Sequence, residues 1–282
     1  MGRLPRLKYA RFRDYHQDDT ARSESALLSV WPRLADFHED LVLVGGLVPR
    51  YLCRPLGDEW QPRTIDVDFA IGLAAGGSMY EPLSKRLIGE GFVRQGARFE
   101  KILPNVTLYV DFLTERPSSE APHSAQVDDI AASAFFGIDR ALKVYREVRI
   151  EGKDLSGANV RETVKVCEIG PFLCLKLQAY AKRAEPKDVF DAVHAVLAYD
   201  LGVVAAEEGF HREAGPNLAY AVAKQVLEKR FREEREKGPS DYASFCLGDP
   251  DASIDEDADF RRSALAADAV TVAHRLLDWR AY

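Results

Sequence analysis

Apolar positions spaced three and four apart predict helices near both ends of the chain, and shorter alternating runs between them predict strands. A helix is expected over Arg22 to His38, interrupted or kinked at Pro32. From residue 41 to 115 the pattern is mixed. "LVLVGG" predicts a strand running into a turn, "LVPRYLCRPL" a short helix, "TIDVDFAI" a strand and "EPLSKRLIGEG" a helix. Three further short strands are expected at "FVRQG", "FEKIL" and "TLYVDFL". The polar stretch "ERPSSEAPHSAQ" predicts a loop that would serve as a module joint, and "ALKVYREVRIEG" with "ETVKVCEIG" another strand pair. From Pro171 onward the spacing is mostly helical: "PFLCLKLQAYAKR", "PKDVFDAVHAVLAYD", "PNLAYAVAKQVLEKRFREEREK" and a last helix ending "AHRLLDWRAY". The fold class expected is α+β, a small mixed sheet flanked by helices with a mostly helical C-terminal half. Its parts would be a basic tail and helix over 1–40, a mixed core over 41–168 and a helical unit over 169–282.

Composition narrows the class of protein. With 46% hydrophobic and 29% charged residues, the chain has the balance of a globular protein with a sizeable core. No apolar run approaches a membrane span, and the basic N-terminus has no apolar stretch after it, so neither a membrane partner nor a secretory leader is expected. Cys53, Cys167, Cys174 and Cys246 are scattered without metal spacing, as reduced thiols of a cytoplasmic protein would be. A net charge of -7 excludes a general nucleic-acid coat. It leaves room for a local basic patch, for which Arg3, Arg6, Lys8, Arg11, Arg13, Lys182 and Arg183 are the candidates. The acidic "DPDASIDEDAD" is expected as an exposed loop.

The chemistry centres on "RTIDVDFAI". Alternation sends Asp66 and Asp68 to one strand face and Val67 and Phe69 to the other. Like charges on one face repel unless a cation lies between them. Upstream, Gly45 and Gly46 sit between a strand and a helix, where a backbone can approach a phosphate closely. Downstream, "LYVDFL" carries Asp111 among apolar neighbours. Three carboxylates on strands beside such a turn suit two Mg²⁺ ions, which take oxygen ligands and bridge a nucleotide's phosphates.

A strand ending in GG, a D-x-D strand and a single later Asp resemble the DNA polymerase β-like nucleotidyltransferases. "GGLVPRYL … RTIDVDFAI" and the helical "CLKLQAYAKRAEPKDVFDAV" are similar to the AbiEii-type toxins among them, over about Val42 to Val193. The last ninety or so residues match no motif. The resemblance implies that Gly45 and Gly46 contact the triphosphate, that Asp66 and Asp68 hold both metals, and that Asp111 holds the catalytic one. It implies that Lys176 reaches the nucleotide phosphates, beside a K-D-x-x-D element of Lys187, Asp188 and Asp191. Thr64 would bond a phosphate or orient a carboxylate. The substrate would be an NTP, the acceptor tRNA or another RNA, and the partner an antitoxin protein.

Other readings of the same residues stay open. "EPKD" is also an ordinary helix start, Lys176 an ordinary surface lysine and Arg183 an ornament of a helix end. "KQVLEKRFREEREK" has the spacing of a solvated, ion-paired face. A small-molecule (antibiotic) nucleotidyltransferase, favoured by overall acidity, and a non-catalytic nucleotide-binding module are the alternatives.

Overall fold

The computed structural model describes residues 9, 11–16, 18–55, 61–72, 81–248 and 256–278. The first helix, α1 (Asp19–Val30), gives way at the expected place: a 3-10 helix over Trp31–Asp40 begins with Pro32 in its first turn. Proline has no N–H for an α-helical bond and its ring crowds the preceding turn, so the winding changes there. β1 (Leu41–Val44) is buried at every position and runs through a single turn, Gly45–Leu47, into the short α2 (Pro49–Leu52). β2 (Asp66–Ile71), α3 (Leu83–Gly89), β3 (Val93–Gln95), β4 (Arg98–Ile102) and β5 (Thr107–Glu115) follow where the spacing predicted them.

The stretch after β5 does not end the sheet. β6 (Ser124–Val127) takes in the end of the expected loop and forms a hairpin with β7 (Ile130–Phe135), and β7 lies parallel to β5 at Leu113–Glu115. α4 (Ile138–Lys143) replaces the start of the next expected strand, which is shortened to β8 (Tyr145–Lys153) and paired with β9 (Asn159–Cys167). Among the described residues these make one nine-stranded mixed sheet of order β3-β4-β5-β2-β1-β9-β8, with β7 and β6 continuing from β5.

The rest is helical: α5 (Ile169–Arg183), α6 (Pro186–Ala198), α7 (Val203–His211), α8 (Leu218–Arg230), α9 (Lys237–Leu247) and α10 (Glu256–Leu277). The helix expected to run on through Lys237 stops at Arg230, because Phe231 turns inward and is buried with its ring 6.1 Å from that of Tyr180. Part of the expected acidic loop, residues 249–255, lies outside the described residues, and residues 256–259 begin α10.

One face of the central strands is apolar and fixes the other. The Phe69 and Phe112 rings lie 5.7 Å apart, Trp31 stacks 5.9 Å from Phe69, and the Trp31 indole donates to the Thr163 carbonyl at 3.0 Å. Burying each such ring stabilises by roughly 1.5–3 kcal/mol. A slip of one residue would forfeit that and drive the aspartates into the core. The N-terminal segment is also tied down: Phe12 and Tyr15 are buried, with Phe12 5.7 Å from the Phe190 ring. Arg3, Arg6 and Lys8 lie outside the described residues. All four cysteines are free, and no described helix is long and apolar enough to cross a membrane.

Candidate active site

Strand register assembles the site. Val44 of β1 faces Asp68 of β2, Asp68 faces Asp111 of β5, and Asp111 faces Arg98 of β4, so one row of the sheet carries two carboxylates and a guanidinium. Asp66 lies two residues earlier on β2, beside Tyr109 and on the same face as Asp68. The three predicted carboxylates are therefore brought to one face of adjacent parallel strands.

The glycine turn is built around them. Gly45 has φ +75°, and a Cβ there would overlap the Asp68 carboxylate. A Cβ on Gly46 would sit 2.8 Å from Thr64 Oγ1 and 3.2 Å from Lys187 Nζ. Both glycines are thus required by close approach, Gly45 to a carboxylate and Gly46 to a hydroxyl and an ammonium. Thr64 is buried, and its Oγ1 accepts from the Asp66 backbone N–H at 3.2 Å. Its own carbonyl accepts from the Ser23 hydroxyl at 3.0 Å, which ties the entry to β2 onto α1. Thr64 here orients the Asp66 backbone. Arg63 turns away from the carboxylates, donating to the Tyr15 carbonyl at 2.7 Å and covering the Phe12 ring.

Arg98 is the residue that sequence reasoning missed. Its Nε donates to Asp111 Oδ1 at 2.8 Å and its Nη2 to Oδ2, a two-pronged pair, while the guanidinium lies 4.5 Å from the centre of the Tyr109 ring. Asp66 and Asp68 act on the same guanidinium and, with Asp111, outweigh the burial that would lower its affinity for a proton. Burial pushes the Asp111 carboxyl up to about 6; Arg98 opposes this, and the charges of Asp68 and Asp66 add to it. A signal for Arg98 was present. "RFEKILPNVTLYVD" is a hairpin pattern, and counting outward from its Pro-Asn turn puts Arg98 opposite Asp111.

The helical elements supply a second cluster. Lys187 pairs with Asp191 at 2.6 Å across one turn of α6, as the spacing predicted. Lys176 of α5 is not at the surface: it is buried, with its ammonium 2.6 Å from the same Asp191 oxygen and 3.7 Å from Asp188. The ammonium expected on the triphosphate is held here by Asp191 and Asp188. Burial alone would raise the Asp191 carboxyl, but Lys176 and Lys187 outweigh it and hold it below the usual range. Arg183 is more than an ornament: it forks onto Asp188 through Nε and Nη2, each at 2.6 Å. The charge of Asp68 is also felt by Arg183, which links the two clusters. Lys182 lies 4.9 Å over the Phe135 ring.

Among the described residues no three His, Cys, Asp or Glu side chains already converge as a metal cage. The donors are of the right kind, though: oxygen ligands on adjacent strands, mutually repelling, with a guanidinium standing where a cation is needed. A cavity of about 660 Å³ opens elsewhere, lined by Thr20, Glu24, Arg50, Arg63, Arg149 and His194 among others and by none of the three carboxylates.

No protein-family model and no curated protein matches the chain. Among solved structures it is similar to MenT4, a nucleotidyltransferase toxin from Mycobacterium tuberculosis H37Rv. The identity is 17%, over 93% of this chain and 85% of that one, with a TM-score of 0.40.

Proposed function

We propose that the chain is a Mg²⁺-dependent nucleotidyltransferase that moves a nucleoside monophosphate from an NTP to a hydroxyl and releases pyrophosphate. The observation that carries this reading is the facing pair Asp68 and Asp111, with Gly45 pressed against the Asp68 carboxylate. Asp66, Asp68 and Asp111 would hold the metal ions, which supply charge neutralisation for the phosphates and a lowered pKa for the attacking hydroxyl. The protein's own share is positional. Thr64 and the Gly45–Gly46 turn fix the strand end, and α6 closes over that turn through Lys187. No side chain here is asked to act as a nucleophile; orientation and fixed charge provide the acceleration.

The motif resemblance leads us to propose further that this is an AbiEii-type toxin, with tRNA or another RNA as acceptor and an antitoxin as partner. Incubation with each labelled NTP, Mg²⁺ and total cellular RNA tests both levels. Label on RNA that disappears in Asp68→Asn supports the whole reading. Label on a small hydroxyl compound alone moves the enzyme to the small-molecule class. No transfer from any NTP to any acceptor refutes catalysis.

A further inference from the structure

Three carboxylates gathered on two neighbouring strands need positive charge, and the structure already contains some. Arg98 reaches Asp111 with both prongs, from the position directly opposite it in the β4–β5 ladder. Its guanidinium lies on the Tyr109 ring, and the Arg98 side chain remains 35% exposed against 20% for Asp111. A two-pronged pair occupies both carboxylate oxygens in the plane where a metal would coordinate. An arginine with one open side has somewhere to go.

We propose that Arg98 is an internal competitor for divalent metal. It caps Asp111 while the site is metal-free, leaves that carboxylate when a metal takes it, and then offers its guanidinium to the phosphates of the incoming nucleotide. This rests on the reading of Asp66, Asp68 and Asp111 as metal ligands. The exchange adds one positive charge at the carboxylates, because a divalent ion replaces a monovalent guanidinium at Asp111, and the displaced guanidinium meets the polyanion that accompanies the metal. Arg98 is in this sense a positioning residue before metal binding and a substrate-contacting residue after it.

The test is made on the full chain with Mn²⁺ as the probe metal, by calorimetry or electron paramagnetic resonance. Arg98→Gln is expected to bind Mn²⁺ at least about tenfold more tightly than wild type, and Mn²⁺–ATP more weakly relative to that gain. Arg98→Lys, which keeps the charge and loses the fork, separates competition from simple repulsion: competition predicts Mn²⁺ affinity close to that of Arg98→Gln, repulsion predicts affinity close to wild type. In the wild type, the Arg98 Nε–H resonance is expected to lose its protection from solvent exchange when Mg²⁺ saturates. If wild type binds Mn²⁺ and neither variant binds it more tightly, or if the Nε–H signal is unmoved by bound Mg²⁺, the role of Arg98 is overturned while the metal site stands. If no form of the chain binds Mn²⁺, the metal site itself is overturned and the competitor with it.

Discussion

Two charged clusters meet near the glycine turn, and they are built on opposite plans. In the helical cluster Lys176, Lys187 and Arg183 are set against Asp191, Asp188 and Glu185, with sign matched to sign and four of the six side chains almost wholly buried. In the strand cluster three carboxylates, Asp66, Asp68 and Asp111, act on one guanidinium, that of Arg98. A buried cluster with balanced charge holds a structure together. Breaking it strands a charge in a medium that solvates it poorly. A cluster in which carboxylates share one guanidinium, with Arg98 and Asp111 partly open to solvent, can take up a cation from outside. On the proposed function, the helical cluster serves stability and the strand cluster serves the chemistry.

The sharpest way to break this contrast is at Asp68. Asp68→Asn should lower transfer by several orders of magnitude and leave the Tm of the metal-free protein unchanged or raised, since it removes one of the repelling charges. A drop in Tm with transfer intact would reverse the roles assigned to the clusters. Asp191→Asn should do the opposite. Leaving two buried ammoniums without their shared carboxylate is expected to cost about 3–5 kcal/mol. At roughly 2–4 °C per kcal/mol, that is a fall in Tm on the order of 10 °C. Lys176→Met belongs with it: stability falls, and thermal melting detects the change before any nucleotide assay does.

Gly45→Ala is a smaller perturbation with a sharper target. The strained φ alone is expected to cost about 1–3 kcal/mol, and the overlap with Asp68 must be relieved by moving that carboxylate. Transfer should therefore fall further than the modest stability loss accounts for, which parallel melting and rate measurements will show. The dependence on acidity separates the clusters by sign. The folded Asp111 carboxyl stands at about 6 against an ordinary 3.8, so its contribution to stability is full at acid pH and lost as the pH rises through about 6. Asp191 is held below the usual range, so its contribution is full at neutral pH and lost on acidification. Urea titrations should show a downward slope between pH 4 and 6 that Asp111→Asn flattens, and an acid weakness that Asp191→Asn removes. A slope at pH 4 to 6 that survives Asp111→Asn would locate the titrating group elsewhere.

Much of the strand cluster was legible in the sequence, because alternation is a local property. Val67 and Phe69 declared the buried face, so Asp66 and Asp68 had to share the other, and the same held for Asp111 between Val110 and Phe112. What alternation does not carry is which strand lies beside which. Arg98 stood one residue outside the expected strand "FEKIL", and its meaning came from the hairpin register that sets it against Asp111. The β6–β7 hairpin escaped for a different reason. Its turn is Asp128–Asp129, with Asp128 at φ +50°, in place of the glycine-containing pairs that usually mark such turns. Its second strand is rich in alanine, a weak strand former. In the helical half the spacing named Lys187 with Asp191 correctly, yet it gave no means of placing Lys176 on the same carboxylate, because that contact joins two helices.

The way Phe12 and Tyr15 are packed bears on the order in which the molecule is finished. These are among the earliest residues in the chain, and their rings rest on Phe190 of α6 and Phe245 of α9, far later in the sequence. β1 likewise pairs with β9, and the Gly46 turn lies against Lys187. A chain emerging from the ribosome can therefore make the carboxylate strands early, but the contacts of Phe12 and of the glycine turn with α6 come only once α6 has been synthesised. Contacts of such high sequence separation fold slowly, and a nascent or truncated chain carries all three aspartates before the turn beside them has its packing partners.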